Sequence, residues 1–172
     1  MSDARDPTRR NMLKGAAAAA ALALLPEAEA APPIRPLTQE QIALAHRHAQ
    51  AEGNGDVEAT LSTLEAEPVY YFYPAGRKFT GMANTRRFYE GFVRHFKPRI
   101  RNVVFHGEAI GNDGLFQEYT IAVECDDGVV RDYRILGILM FGKTALTGER
   151  MYADEALFRL LASGMWDEME RI

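Results

Sequence analysis

The sequence predicts an α+β fold in which helices pack against a curved, mostly antiparallel sheet. Apolar residues recur with helical spacing before residue 65, between residues 81 and 96, and after residue 154. Between residues 100 and 153 they alternate instead at every second position, in runs separated by short turns rich in glycine, asparagine and aspartate. Strands that follow one another directly in the sequence favour hairpins, and therefore an antiparallel sheet.

Two helices are predicted to open the domain. Thr38 and Gln41 form a capping box, in which each side chain binds the backbone of the other residue, and the helix is predicted to run to about Gly53. Asp56 is predicted to cap a second, shorter helix whose apolar side extends to Leu64.

A strand and an aromatic helix are predicted next. Residues 67–73 are β-branched and aromatic and end at Pro74, which predicts a strand followed by a loop at 75–78. Phenylalanine then recurs every four residues at 88, 92 and 96, which predicts a helix over 81–96 that ends before Pro98.

Four strands and a closing helix complete the predicted order. The alternating runs span residues 100–110, 115–125, 129–141 and 146–153, and the turns lie between them. The final helix is predicted to open at Asp154, with leucines on its apolar side.

The first 30 residues predict an export signal. Residues 8–14 read Thr-Arg-Arg-Asn-Met-Leu-Lys, and an apolar run of 11 residues follows at 15–25, too short for a membrane-spanning helix of ~20 residues. Ala28-Glu29-Ala30 matches the small-x-small pattern of a cleavage site. We predict a twin-arginine signal at 1–30, a linker at 31–37 and one domain at 38–172. An ordinary secretory signal is the alternative, and both imply a bacterial protein that is periplasmic or secreted.

Composition excludes several classes of function. The net charge of −4 argues against nucleic acid as a partner and against electrostatic binding to a membrane, and no membrane anchor is expected after cleavage. The single cysteine, Cys125, rules out an internal disulfide. No metal-ligand spacing and no phosphate-binding loop occur, so the sequence predicts neither a metal nor a cofactor.

Three stretches of the sequence resemble a known family. They are Gly-Asp-Val at 55–57; Tyr-Tyr-Phe-Tyr-Pro-Ala-Gly at 70–76 with Phe-Thr-Gly at 79–81 and Phe-Tyr at 88–89; and Gly-Glu-Arg-Met-Tyr-Ala-Asp at 148–154. Together with the order of elements, they resemble the SnoaL-like polyketide cyclases of the nuclear transport factor 2-like superfamily, over residues 38–164. The resemblance implies a cone-shaped, cystatin-like α+β fold and a habit of forming homodimers.

The resemblance also implies a catalytic residue. In SnoaL-like cyclases an aspartate at the junction of the last strand and the final helix is the general acid/base for an aldol closure, and Asp154 matches that position. A carboxyl in an apolar pocket has a raised pKa and can exchange a proton near neutral pH. The alternative for Asp154 is a helix N-cap, which would lower its pKa.

Strand alternation predicts an apolar pocket for a small hydrophobic molecule. Leu115, Gln117, Tyr119, Ile121 and Val123 share one strand face and are predicted to point inward, and Tyr152 is predicted to share a side with Asp154. The predicted substrate-binding residues are Tyr71, Tyr73, Phe92, Tyr119, Tyr133 and Tyr152. The alternative for each tyrosine is a core or rim position.

Three related enzyme activities each require particular residues in this pocket. Limonene epoxide hydrolases need an arginine and an aspartate where Tyr119 and Ile121 stand, so epoxide hydrolysis is disfavoured. Ketosteroid isomerases need an acid beside a tyrosine, and no inward acid is evident from the sequence. Scytalone dehydratases use pocket histidines, for which His106 is a candidate that competes with Val103 and Phe105 for the inner side.

Two functions therefore remain open. One is an acid/base cyclase or isomerase that acts without a cofactor on a small hydrophobic carbonyl compound. The other is a non-catalytic periplasmic protein of the same fold that binds a small molecule or a partner protein.

Overall fold

The computed structural model describes residues 37–112 and 114–172. The predicted signal and the linker up to residue 36 lie outside them. The helices are α1 (Gln39–Asn54), α2 (Val57–Leu61), α3 (Met82–Gly91) and α4 (Glu155–Ala162). The strands are β1 (Leu64–Tyr73), β2 (Arg77–Thr80), β3 (Ile100–Ile110), β4 (Gly114–Glu124), β5 (Val130–Phe141), β6 (Leu146–Tyr152) and β7 (Glu170–Arg171).

Within these described residues the strands form one seven-stranded sheet in the order β3-β4-β5-β6-β1-β2-β7. Strands β1 and β6 run parallel, and the other neighbouring pairs are antiparallel. The predicted α+β class with a mostly antiparallel sheet is confirmed. The first half of strand β2 overlaps the stretch that the sequence predicted to be a loop. A four-residue strand is too short to show alternation, so the sequence did not reveal it.

Local sequence signals fix the first two helices. The Thr38 hydroxyl accepts from the Gln41 backbone N–H at 3.2 Å, and the Gln41 side chain accepts from the Thr38 N–H at 2.9 Å, so the capping box is present. Gly55, with φ of 78°, ends α1 in the left-handed conformation. The Asp56 carboxylate caps α2 by accepting from Ala59 N–H at 3.0 Å.

The aromatic helix is observed as α3 followed by a π-helical turn at Phe92–Phe96 and a 3-10 turn at Lys97–Arg99 that contains Pro98. Phe88, Phe92 and Phe96 are buried, as their spacing predicted. They face the sheet, where the Phe88 ring lies 6.0 Å from that of Phe72.

A bulge in β6 decides which of its side chains point inward. Leu146 pairs with Phe141 and Gly148 with Met140, so Thr147 is an extra residue in this strand. At Gly148 φ is 121°, and a Cβ there would collide with the backbone carbonyl of Val69.

The bulge changes the alternation of β6. Leu146 is buried before it, and strict alternation would then send residues 148, 150 and 152 inward. After the bulge Glu149 and Met151 are buried instead, and Arg150 and Tyr152 are exposed.

Candidate functional site

A cavity of about 350 Å³ lies between the helices and the inner face of the sheet. Its helical wall comes from α1, α4 and the segment 88–96, and its sheet wall from β3, β4, β5 and β6. Most of the lining is aliphatic or aromatic. The polar side chains of the lining are His48, Glu52, Gln117, Tyr119 and Glu149. Among the described residues, no lysine or arginine lines the cavity.

Strand register places the sheet wall. Tyr119 pairs with Phe105 on one side and Ile135 on the other, so these three side chains share the inner face. Gln117 and Ile121 lie two residues either way along β4 and also line the cavity. The predicted inward face of this strand is confirmed.

Glu149 presents a carboxyl to the cavity from the sheet wall. It pairs with Leu139 on β5 and Tyr70 on β1, and only 7 % of the residue is exposed. A Cβ at Gly137 would lie 2.5 Å from its Oε1, so the glycine leaves the space that the carboxyl occupies. Within residues 37–112 and 114–172, no hydrogen bond or ion pair reaches this carboxyl.

The electrostatic environment keeps Glu149 neutral. Burial raises its pKa well above the ordinary value, and the negative charge of Glu52 raises it further. Burial, together with the charges of Glu149 and Glu52, also raises the pKa of the Tyr119 hydroxyl. Burial therefore favours the protonated form of both groups on the sheet wall, in which each can donate a hydrogen bond.

Glu52 presents a second carboxyl from the helical wall, at the end of a buried polar chain. Its Oε2 lies 3.4 Å from the Tyr89 hydroxyl and 3.8 Å from His48 Nε2. The Tyr89 hydroxyl is also 3.1 Å from His48 Nε2 and 3.0 Å from the Tyr70 hydroxyl. On the far side of the imidazole, His48 Nδ1 lies 2.7 Å from the Thr63 hydroxyl.

Burial shifts the titration of this helical wall in two directions. It raises the pKa of Glu52, whose side chain is 29 % exposed, to about 7, and a hydrogen bond with Tyr89 opposes that shift. Burial lowers the pKa of the fully buried His48 to about 4, so the imidazole is neutral at pH 7. Among the described residues, the cavity thus holds two carboxyls and no permanent cation.

Two of the predicted substrate-binding residues line this cavity, namely Phe92 and Tyr119. Tyr133 is buried on the inner face but lies outside the lining, with its hydroxyl 3.3 Å from Cys125 Sγ. The functional roles of these residues remain predictions.

Three other predicted residues, Tyr71, Tyr73 and Tyr152, lie on the outer face of the sheet. Their rings stack, with centroids 6.0 Å apart for the first two and 5.2 Å for Tyr73 and Tyr152. The predicted inward orientation of Tyr152 is wrong because the bulge before it reverses the alternation. On β1 the inner positions belong to Tyr70 and Phe72, and four consecutive aromatic residues carry no alternation to reveal this.

Asp154 lies at the predicted junction of β6 and α4, but it is exposed and does not line the cavity. It occupies the N-cap position of α4 without a capping hydrogen bond from its side chain. The carboxyls that do line the cavity are Glu149 and Glu52, which the sequence reasoning missed.

The remaining sequence candidates fall outside the cavity. His106 lies on the outer face, 2.8 Å from the Thr120 hydroxyl, and Val103 and Phe105 take the inner side. In the described part of the chain, no cluster of three or more histidine, cysteine, aspartate or glutamate side chains is arranged to hold a metal ion. None of the described helices combines the length and apolar character that crossing a membrane requires.

Residues 6–26 match the twin-arginine translocation pathway signal sequence. The signal directs export across a membrane, and the twin-arginine prediction is confirmed. No curated protein sequence matches the chain.

Solved structures identify the fold. An NTF2-like protein of unknown function from Cytophaga hutchinsonii is 18 % identical, over 74 % of this chain and 98 % of its own, with a TM-score of 0.53. An NTF2-like protein from Burkholderia xenovorans is 15 % identical, over 74 % and 99 %, with a TM-score of 0.56. The fold is NTF2-like. A steroid delta-isomerase from Pseudomonas aeruginosa has the same fold, with 11 % identity over 77 % of this chain and 96 % of its own and a TM-score of 0.59.

The NTF2-like fold explains why the cavity lies where it does, between a curved sheet and the helices that cover it. At these identities the likeness establishes the fold alone, and the reaction has to be argued from the site. The finer resemblance to SnoaL-like cyclases stays a prediction, as does the homodimer.

Proposed function

We propose that this exported NTF2-like domain binds a small, neutral, mostly apolar carbonyl compound in its cavity and catalyses a proton shift next to the carbonyl group. It works in the periplasm or outside the cell. The observation that carries the proposal is the Glu149 carboxyl, which is buried in an apolar wall and has no hydrogen-bond or ion-pair partner among the described residues; burial raises its pKa well above the ordinary value.

The chemistry of Glu149 selects the ligand. A neutral carboxyl is a hydrogen-bond donor that a carbonyl oxygen can satisfy, and its burial without a partner has a cost that such a ligand relieves. The Tyr119 hydroxyl on the same wall is a second donor for that oxygen. Two donors aimed at one oxygen stabilise the negative charge that develops there when the neighbouring carbon loses a proton.

The cavity disfavours anions. Among the described residues, no lysine or arginine lines it to neutralise a carboxylate or phosphate ligand, and such a ligand would also meet the Glu52 carboxyl, whose pKa is about 7. We therefore expect cyclic ketones to bind and carboxylates of the same size to bind at least ~10-fold more weakly, a difference of about 1.4 kcal/mol. Calorimetric titration with cyclohexenone and cyclohexenecarboxylate measures this, and equal or tighter binding of the carboxylate contradicts the proposal.

Hydrogen–deuterium exchange tests the reaction without knowledge of the natural substrate. The protein should accelerate exchange at the carbon next to the carbonyl of cyclohexenone in D₂O, followed by mass spectrometry. Glu149→Gln should lower that rate by ~10² or more, since a positioned acid or base contributes about 10²–10⁴. Asp154→Asn is the matched control and should leave the rate unchanged. If Asp154→Asn alone abolished exchange, the base predicted from the sequence would be favoured instead.

The apolar lining also supports the non-catalytic alternative, a binding protein for a small hydrophobic molecule. Retained ketone binding without any accelerated exchange would assign the protein to that class.

A further inference from the structure

The polar chain behind the cavity can adopt two directions, and each direction suits one charge state of Glu52. The chain runs from the Thr60 carbonyl through Thr63, His48 and Tyr89 to Glu52. Every internal link joins two groups that can both donate and accept, since neutral imidazole carries one N–H and one acceptor nitrogen. The chain is buried apart from its Glu52 end, so water does not complete its hydrogen bonds.

In the first direction Glu52 is protonated. Its O–H donates to the Tyr89 oxygen, and the Tyr89 O–H donates to His48 Nε2 at 3.1 Å. The imidazole proton is then on Nδ1 and is donated to the Thr63 oxygen at 2.7 Å. The Thr63 O–H is donated in turn to the Thr60 carbonyl at 2.6 Å.

In the second direction Glu52 is ionised. The Tyr89 O–H turns to the Glu52 carboxylate, 3.4 Å away, and the Tyr89 oxygen accepts from His48 Nε2–H. The imidazole proton has moved to Nε2, and Nδ1 accepts from the Thr63 O–H. In both directions the Tyr70 hydroxyl, 3.0 Å away, can donate to the Tyr89 oxygen.

We propose that Glu52 is the second proton-exchanging residue of the cavity, and that His48 and Tyr89 are positioning residues that satisfy both of its charge states by reversing their hydrogen bonds. Glu149 has no such chain and stays the neutral donor. The two carboxyls thereby divide the roles of base and acid, because their surroundings differ.

This inference rests on the proposed function in one respect, namely the reaction in which Glu52 takes up and returns a proton. The Glu52 carboxylate removes a proton from the carbon next to the ligand carbonyl, and the C–H electron pair forms the C=C bond of the enol. The carbonyl π pair moves to oxygen, which takes the proton of Glu149. Return of a proton from Glu52 to carbon, and of the enol proton to Glu149, restores both carboxyls.

The ionisable groups near Glu52 lie on α1, α3, β1, β4 and β6. His48 lies 3.8 Å from Glu52, and the charge of Glu52 acts on Tyr70, Tyr89, Tyr119 and Glu149. None of these described groups is a permanent cation that would hold Glu52 in its ionised state.

The position of the imidazole proton tests the inference directly, and no ligand is needed. Nitrogen-15 NMR distinguishes the two His48 tautomers from the shifts of the ring nitrogens. As Glu52 ionises between about pH 5 and pH 9, His48 should change from the Nδ1–H tautomer to the Nε2–H tautomer. The nitrogen-15 shift of Nδ1 should then become that of an unprotonated ring nitrogen, and the shift of Nε2 that of a protonated one. An unchanged tautomer over that range overturns the inference.

Glu52→Gln is the decisive variant. Its amide N–H₂ donates to the Tyr89 oxygen at every pH, so His48 should stay in the Nδ1–H form throughout. Tyr89→Phe removes the hydroxyl that connects Glu52 to His48. It should also abolish the change of the His48 tautomer with pH, although Glu52 is still present. The exposed His46 is the internal control, since its ring resonances should be the same in the wild type and in both variants. Persistence of the His48 transition in Glu52→Gln overturns the inference.

The result is separable from the test of the proposed function. If His48 shows no coupling to Glu52 but Glu149→Gln still abolishes deuterium exchange, the inference fails and the proposed function stands. If the His48 tautomer follows Glu52 but no deuterium exchange occurs, the reversible chain is established and the proposed reaction fails.

Discussion

The carboxyl of Glu149 occupies the volume that a side chain at Gly137 would fill. The two residues lie on neighbouring strands, and a Cβ at 137 would stand 2.5 Å from Glu149 Oε1. The contacted atom is the end of a flexible side chain, so a side chain at 137 would make the Glu149 carboxyl change its position. The glycine is therefore part of the site although it carries no functional group.

Gly137→Ala should displace the Glu149 carboxyl. We expect weaker binding of cyclohexenone and a loss of at most about 1 kcal/mol in the free energy of unfolding, because the end of a flexible side chain can move away more easily than a rigid, overpacked core. Urea denaturation and calorimetric titration measure the two effects. Gly107→Ala on β3 is the control, since nothing lies within 4 Å of a Cβ there. Equal effects of the two substitutions would show that Gly137 has no special relation to Glu149.

The free energy of unfolding should fall as the pH rises above 6.5. Glu52 and Glu149 have folded-state pKa values above 4.5, so the folded state binds more protons than the unfolded state and loses stability as the pH rises through those values. His48, lowered from 6.5 to about 4, has the opposite effect between those two values. Up to pH 6.5 the histidine and the carboxyls change the free energy of unfolding in opposite directions. Above pH 6.5 only the carboxyls still change it, and they lower it.

Glu149→Gln should make the free energy of unfolding decrease less steeply as the pH rises. Each carboxyl contributes at most about 1.4 kcal/mol per pH unit, and the amide removes one contribution. Denaturation at a series of pH values up to about 9 measures the slope. Glu40→Gln, an exposed change in α1, should leave the slope as it is. A wild-type slope of zero above pH 6.5 would argue against a neutral, buried Glu149.

Two histidines separated by one residue should respond very differently to substitution. His48→Leu removes one buried hydrogen-bond partner from each of the Tyr89 and Thr63 hydroxyls, at a total cost of about 1–3 kcal/mol. Tyr89 keeps its contacts with Tyr70 and Glu52, and Thr63 keeps its bond to the Thr60 carbonyl. His46→Leu removes only an exposed contact with Glu108, and its effect should stay within about 0.5 kcal/mol. Thermal or urea unfolding compares the two, and similar losses would contradict the burial of the chain.

Tyr119 and Tyr152 distinguish the inner face of the sheet from the outer face. Tyr119→Phe removes a donor beside Glu149 and should lower the deuterium exchange rate by ~10², as expected for one lost donor to a developing oxyanion. Tyr152→Phe, on the outer face, should leave the rate unchanged. A lower rate in Tyr152→Phe alone would restore the inward orientation that the sequence predicted.

The sequence was sufficient for the fold because its signals are local and regular. The capping box at Thr38, the four-residue spacing of Phe88, Phe92 and Phe96, and the alternation of β4 each depend on neighbouring residues, and all three are observed. Simple alternation also placed Tyr119 on the inner face.

The site was predicted only in part because its acids depend on longer-range features. The extra residue Thr147 is visible only through pairing with β5, and strict alternation from Leu146 would place Glu149 on the outer face. Glu52 and His48 lie on a helix with a weakly apolar surface, and a buried histidine in α1 is recognisable only once Tyr89 and Thr63 are in place. The one available sequence signal was Gly148, since glycine within a strand often marks a bulge.

The single inserted residue in β6 therefore sets the polarity of the whole chamber. Were Thr147 to pair with Met140 as an ordinary strand residue, every later residue of β6 would shift by one position, and the guanidinium of Arg150 would replace the carboxyl of Glu149 among the inward positions. An acidic cavity suited to uncharged ligands would become a basic one suited to anions. A slip of one residue in the pairing of β6 thus separates two opposite ligand preferences on the same scaffold.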